Sequence, residues 1–311
     1  MILAIVIVLR HCGQNFYTAD SLYVTILNTV SPLGVPLFFA VSGFLFFQKD
    51  RNGFELKHYV IRLTKLYGIW TIIYLPLILW EMVKSGSNDT GLLIRRLVFD
   101  GSYYHLWFLP ALIVAITIVY FLSKKVTDKV ILIVAILLYV VGTLVDSYSF
   151  LSPLFVWKGY KAFFITTRNG VFFGTLFVLL GKMAGVKRKF NGVLTVIAMI
   201  AMVCEGWYLC IIHHTEIVNM MLSSMIMVPA IMALALCTSD YLTCINGKYY
   251  RQVSTVLFCV HPYVIYVIGA IRRRIGLQSI IAVMIVVILS LGIAHIVVKM
   301  AGKLPLMKHL L

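Results

Sequence analysis

The chain has 311 residues, of which 61% are hydrophobic and 12% are charged, and its formal net charge is +16. A soluble domain has roughly 45–50% apolar and about 25% charged residues, so this composition excludes an ordinary soluble fold and indicates an integral membrane protein. The basic residues lie in short runs between apolar segments, as in membrane proteins, which argues against a nucleic-acid partner. The six cysteines show neither metal-ligand spacing nor a disulfide framework, so we expect no metal.

Apolar segments follow one another along the whole chain. A transmembrane helix needs about 20 mostly apolar residues. Nine segments approximate that length, near 31–48, 60–83, 104–122, 129–146, 168–183, 193–213, 219–238, 253–271 and 279–300. Residues 1–9 would rise only about 14 Å as a helix, so we interpret them as the outer half of a truncated first span. The sequence therefore predicts an all-α bundle of about ten transmembrane helices that forms a single domain, 1–311.

The distribution of Lys and Arg predicts the orientation of this bundle. With a cytoplasmic N-terminus, 17 of the 27 basic residues lie in inner connectors and nine in outer ones, and Arg10 is the last. Inner connectors are normally the more basic, so both termini are expected inside. The run Arg272-Arg273-Arg274 falls on the outer side against this rule.

Ionisable and amide side chains within or at the ends of these spans are costly to bury and therefore point to function. They are His11, Glu81, His105, Arg168, Asn169, Glu205 and His261. In the predicted orientation all lie in the middle or outer half of the membrane, which predicts one polar cavity reached from outside. Each also has a structural alternative: Glu205, for example, could simply pair with Arg168 or another buried cation.

A second polar feature lies at the inner surface. Arg62 and Lys65 are three residues apart and share one helix face. They could anchor the helix in the ordinary way, or they could bind the phosphates of a cytosolic anionic cofactor. On the preceding span, Gly34 and Gly43 allow close approach of a neighbouring helix or of a ligand.

Six short motifs resemble, in the same order, those of the membrane-bound acyltransferase-3 family of ten-helix bacterial O-acyltransferases. They are residues 8–11, 34–44, 62–67, 105–110, 167–174 and 260–262. The resemblance covers nearly the whole chain, and the motifs at 105–110 and 167–174 are similar in particular to the membrane half of vancomycin-resistance serine racemases. Two departures stand out. The family's first-span arginine would fall just before Met1, and Lys65 replaces an arginine and loses its bidentate fork.

The resemblance implies transfer of an acyl group, usually acetyl, from cytosolic acyl-CoA to a hydroxyl or amine acceptor outside a bacterial plasma membrane. The expected partners are acyl-CoA, membrane lipid and an acceptor that is a glycan, a lipid headgroup or a small molecule; a second copy of the chain is a further candidate. Acetyl-CoA would be held by Arg62 and Lys65, with Arg10, Ser42 and Gly43 as further binding residues.

The same resemblance suggests roles for the polar residues of the spans. His11 would be the general base, because histidine titrates nearest neutral pH. Arg168, Asn169 and His105 would stabilise the oxyanion of the transition state. His261 or Glu205 would orient the base or relay its proton.

Two other functions fit ten spans with buried polar residues. One is a transporter or flippase of a cell-envelope precursor, although the halves 1–150 and 151–311 show no convincing repeat of the kind many transporters have. The other is a catalytically inactive membrane sensor.

Overall fold

The computed structural model describes residues 1–18, 21–50, 56–85, 97, 101–151, 166–184, 190–215, 217–238, 246–304, 307 and 310. Within these residues the chain forms helices and turns and no β-strand, which confirms the all-α prediction. The α-helices are α1 (Ile2–Phe16), α2 (Leu22–Val30), α3 (Gly34–Asp50), α4 (Leu56–Ser85), α5 (Phe108–Leu122), α6 (Asp128–Val145), α7 (Thr175–Ala184), α8 (Gly192–Trp207), α9 (Ser224–Cys237), α10 (Gly247–Ile275) and α11 (Ser279–Ala301).

The described helices identify a multi-pass membrane protein. Six helical segments are long and apolar enough to cross a membrane, namely Leu22–Gln48, Leu56–Lys84, Asp128–Val145, Gly192–Ile212, Gly247–Ile275 and Ser279–Ala301. Four apolar helices are shorter, namely Ile2–Phe16, Phe108–Leu122, Gly170–Ala184 and Ser224–Cys237. The count of about ten spans and the inward position of both termini stay predictions.

Several helix boundaries differ from those predicted. α1 continues through Arg10 and His11 to Phe16, because Cys12 and Phe16 extend its buried face and no proline interrupts it. Residues 104–107 form a turn before α5 rather than its first turn. The predicted span from 168 begins as a helix only at Gly170, with the π-helix Gly170–Gly174 leading into α7.

α3 and α7 pack closely because each presents a glycine to the other's backbone. A Cβ atom on Gly43 would lie 2.3 Å from the carbonyl oxygen of Val178, and one on Gly181 would lie 1.9 Å from that of Ala40. Small residues of this kind let membrane helices approach closely. The predicted close approach at Gly43 is therefore a contact between helices.

α10 positions the site, because it is long and packs against both α1 and α11. Its middle carries Pro262, which has no backbone N–H and so leaves the carbonyl of Phe258 without its helical donor. His261 precedes this proline and faces α1. The packing of α1 against α10 therefore brings the predicted histidines of two spans to the same depth.

Candidate active site

Three histidines that are far apart in the sequence lie side by side in the bundle. His11 is on α1, His105 is in the turn before α5, and His261 is on α10. The ring centroids of His11 and His261 are 5.3 Å apart with an interplanar angle of 21°, and those of His105 and His261 are 5.5 Å apart. We call these residues the histidine cluster. Three of the six residues predicted to be catalytic are thus neighbours.

The ring nitrogens of this cluster are largely unused by the fold. Among the described residues, both ring nitrogens of His105 and the Nε2 atom of His261 lack a hydrogen-bond partner. The two side chains are nevertheless buried, at 1% and 0% exposure. A buried polar group without a partner costs about 1–3 kcal/mol. Such groups call for an explanation, and a catalytic role is one.

The other contacts of the cluster identify Nε2 as the basic atom of two of its rings. His11 Nδ1 lies 3.1 Å from Gln14 Oε1, and His261 Nδ1 lies 3.3 Å from the carbonyl oxygen of Leu257. Since both partners are acceptors, each Nδ1 is the donor and carries the ring proton. Nε2 of each ring is then free to accept a proton.

A cavity of about 940 Å³ opens where α4 and α10 begin. Four cationic residues line its mouth: Arg62, Lys65, Lys248 and Arg251. No acidic residue is among the described residues that line it, and its deeper walls are mostly apolar. We call it the basic cavity. A basic mouth above an apolar interior suits an anionic ligand with a long arm.

Three phenylalanines close the deep end of the basic cavity. The ring centroids of Phe38 and Phe108 are 6.0 Å apart, those of Phe108 and Phe258 are 5.8 Å apart, and those of Phe38 and Phe258 are 6.4 Å apart. Phe258 also lies 5.5 Å from His105 and 6.0 Å from His261, centroid to centroid. We call these three side chains the phenylalanine barrier. One aromatic ring therefore separates the basic cavity from the histidine cluster.

A smaller cavity, of about 350 Å³, lies on the other side of the histidine cluster. We call it the tyrosine cavity; it is lined by Gln14, Asn15, Glu81, Tyr103, Tyr104, Pro262, Ile265 and Tyr266. The ring of Tyr104 packs edge-on to His11, with centroids 5.0 Å apart. The histidine cluster thus has a cavity on each side, one basic and one rich in tyrosine.

Arg10, predicted to bind cofactor, does not line the basic cavity. It is 9% exposed and donates to Ser31 Oγ at 2.9 Å, to the carbonyl oxygen of Val218 at 2.7 Å and to Asn219 Oδ1 at 3.0 Å. These contacts tie α1 to the turn between α2 and α3 and to the segment before α9. Ser42 does line the basic cavity.

The three other predicted catalytic residues have contacts within the fold, and the charge of Arg168 is also within electrostatic range of His11. Asn169 Oδ1 accepts hydrogen bonds from the backbone N–H groups of Val171 and Phe172, both at 3.0 Å, so it caps the helix that begins at Gly170. The Arg168 guanidinium lies 5.4 Å from the ring of Trp107. Trp107 in turn packs against Phe173 on the same helical segment.

Glu205 holds the segment before α9. It accepts hydrogen bonds from Tyr148 Oη at 2.7 Å and from the backbone N–H groups of Leu222 at 2.6 Å and Ser223 at 2.8 Å. Unpaired N–H groups gather at helix starts and favour a carboxylate. The pairing of Glu205 with Arg168 considered from the sequence is not among its hydrogen bonds in the described part of the chain.

Several residues of the site were missed from the sequence. Lys248 and Arg251 repeat on α10 the three-residue spacing of Arg62 and Lys65, and that repetition was a usable signal. Phe258 and Tyr104 gave none, because an aromatic residue beside a histidine is ordinary in an apolar span. Among the described residues, no group of three or more His, Cys, Asp or Glu side chains is arranged to hold a metal ion.

The family model described as an acyltransferase domain, acyltransferase-3, matches residues 1–299. The chain belongs to this acyltransferase family. The match confirms the resemblance found in the sequence motifs. It covers the histidine cluster, the tyrosine cavity and all described lining residues of the basic cavity except Ala301 and Gly302. No solved structure matches this acyltransferase-family chain.

Curated relatives of this acyltransferase-family chain carry other names. Two proteins of Enterococcus faecalis called amino-acid racemase are 33% identical over 192 residues and 26% identical over 306 residues. A serine/alanine racemase of Enterococcus gallinarum is 27% identical over 309 residues. The alignments cover 58%, 90% and 94% of this chain but only 26%, 42% and 44% of those proteins. Because the chain spans less than half of each relative, their names are no evidence that it racemises amino acids.

Proposed function

We propose that this protein transfers an acyl group, acetyl in the first instance, from acyl-CoA to an acceptor hydroxyl across a bacterial plasma membrane. The observation that carries the proposal is the histidine cluster, with unpartnered ring nitrogens, between a basic cavity and the tyrosine cavity. Membership of the acyltransferase family supports the reaction type. The basic cavity would face the cytoplasm, where acyl-CoA is made, and the tyrosine cavity would face outward.

The basic cavity suits acyl-CoA in charge and in shape. CoA carries several phosphate charges, and Arg62, Lys65, Lys248 and Arg251 would bind them at the mouth. Its pantetheine arm would run along the apolar wall past Ser42 toward the phenylalanine barrier. The thioester reaches the histidines when the ring of Phe258 turns aside.

The reaction then follows ordinary acyl transfer. His11 Nε2 accepts the proton of the acceptor hydroxyl as its oxygen attacks the thioester carbonyl carbon. The tetrahedral oxyanion receives hydrogen bonds from nearby donors, for which we propose His105 and the tyrosines that surround it. The intermediate collapses as its C–S bond breaks. The acyl ester forms, and protonated His11 returns its proton to the CoA thiolate, either directly or relayed through His261.

The proposal is tested with purified protein in proteoliposomes, with radiolabelled acetyl-CoA outside and a panel of hydroxylated acceptors inside. We expect acetyl ester to form on the side opposite the CoA, and free CoA to appear in equal amount. Movement of an unmodified acceptor across the membrane without CoA release would instead establish a transporter. If the protein neither bound acetyl-CoA nor released CoA, that result would overturn the enzymatic proposal.

The double variant Arg62→Gln, Lys65→Gln is expected to raise the KM for acetyl-CoA by about 10–100-fold with little change in kcat. Each lost charge-assisted hydrogen bond to phosphate is worth roughly 1.5–3 kcal/mol, and solvent at the open mouth reduces this. Steady-state kinetics over a range of acetyl-CoA concentrations measures the effect. Lys124→Gln is the control, because Lys124 contacts Tyr120 and does not line the cavity. An unchanged KM would show that CoA binds elsewhere.

Phe258→Ala is expected to shift the donor preference from acetyl-CoA toward hexanoyl-CoA by about tenfold. Removing the ring leaves space at the end of the cavity for extra methylene groups, each worth ~0.8 kcal/mol when buried. Competition between the two donors measures the ratio of their kcat/KM values. Phe121→Ala is the control, since that side chain of α5 is 53% exposed and does not line the basic cavity. A ratio that matches the parent protein would exclude Phe258 as a limit on acyl length.

A further inference from the structure

The volume and position of the tyrosine cavity restrict which acceptors could bind in it. Its volume of about 350 Å³ is at the lower end for ligand pockets, which accommodate small molecules or one sugar-sized group at a time. It is next to His11 through the ring of Tyr104 and through Gln14. An acceptor held here would present a hydroxyl to the proposed base.

Glu81 sets the charge of this cavity. It is the one formally charged residue among the described residues that line it. Tyr103 Oη donates to Glu81 Oε1 at 3.1 Å, which fixes the carboxylate and leaves Oε2 without a partner among the described residues. Arg272, on the next turns of α10, is engaged elsewhere, because it donates to Ser279 Oγ at 2.8 Å.

Three tyrosine rings line the cavity beside this exposed carboxylate. Tyr103, Tyr104 and Tyr266 all line the cavity, and the rings of Tyr103 and Tyr104 are 4.9 Å apart. Aromatic faces attract cations, and a carboxylate accepts short hydrogen bonds from an ammonium group. A carboxylate and tyrosine rings that line the same cavity therefore favour an ammonium ligand over a neutral one of equal size.

We propose that the tyrosine cavity is a recognition site for acceptors that carry a primary ammonium group beside the hydroxyl, such as amino sugars and amino alcohols, with Glu81 as the specificity-determining residue. This inference rests on the proposed acyl transfer and narrows its acceptor. An ammonium group held by Glu81 keeps its proton and has no lone pair for attack. The acyl group therefore goes to oxygen, and the product is an ester with a free amine.

The test measures binding without any acyl donor, by isothermal titration of purified protein in nanodiscs at neutral pH. D-Glucosamine is compared with D-glucose, and ethanolamine with ethylene glycol. Each pair differs only in an ammonium group that replaces a hydroxyl, and the two pairs distinguish a sugar from a simple amino alcohol as the source of the group. We expect the ammonium member of at least one pair to bind about tenfold more tightly.

Glu81→Gln, which keeps the shape and removes the charge, is expected to abolish this preference. Asp128→Asn, the same change at the ion pair with Lys182, is expected to keep it. Equal affinity within both pairs, no binding of either amine at millimolar concentration, or a preference that survives in Glu81→Gln would each overturn the inference. Ammonium preference without acetyl-CoA turnover would support this recognition site and count against acyl transfer, whereas turnover without preference would refute the inference alone.

Discussion

Replacing His11 by alanine is expected to lower kcat for the proposed acyl transfer by about 10²–10⁴-fold, which is the usual contribution of a positioned general base. The rings of His11 and His105 both pack against Tyr104 of the tyrosine cavity. In the histidine cluster only His11 is also hydrogen-bonded to a residue that lines this cavity, Gln14. Its Nε2 atom would therefore meet the acceptor hydroxyl first. The KM for acetyl-CoA should change little, because His11 does not line the basic cavity.

The control for this variant is His213→Ala. His213 stacks on Phe150 with ring centroids 3.7 Å apart and contacts Tyr208, away from the cluster, so its loss should leave kcat near the parent value. Initial rates with saturating acetyl-CoA measure both variants. If the His11 variant kept more than about a tenth of the parent rate, the general base would have to be sought elsewhere, with His261 as the next candidate.

The sequence predicted the site best at its histidines. Histidine inside an apolar span is costly, so His11, His105 and His261 pointed to a site before any geometry was known. The sequence predicted one shared polar cavity but not which of the seven polar residues are neighbours, because that depends on α1 packing against α10 and on the turn before α5.

Asn169 and Glu205 have a different physical reason to be in the spans. Asn169 precedes a helix, and asparagine is a preferred N-cap, so the local sequence already allowed a structural role. Glu205 binds backbone N–H groups of residues 17 and 18 positions later. That arrangement is visible only once α8 and α9 are folded together. A polar residue inside a span can therefore have a catalytic role or can bind backbone N–H groups at the start of a helix. Only the tertiary structure distinguishes the two.

Gly181→Val is expected to remove about 3 kcal/mol or more from the free energy of unfolding, at or beyond the upper end of ordinary overpacking effects. The reason is that even a Cβ atom on Gly181 would lie 1.9 Å from the carbonyl oxygen of Ala40, a backbone atom of α3 that cannot rotate away. The helices would have to separate, and α3 carries Ser42 and Phe38 of the basic cavity. Thermal unfolding in mild detergent, followed by fluorescence-detected gel filtration, measures the loss.

Gly292→Val is the matched control for this substitution. Gly292 lies within α11, and a Cβ atom there would meet nothing within 4 Å. Both variants make the same change in side chain within a helix, and Gly181 is buried whereas Gly292 is exposed, so a difference between them reports the contact between α3 and α7. If both unfolded at the same temperature, the close approach of these helices would not hold the bundle together. If only Gly181→Val were destabilised and its KM for acetyl-CoA also rose, the close packing of α3 and α7 at Gly43 and Gly181 would determine the width of the basic cavity.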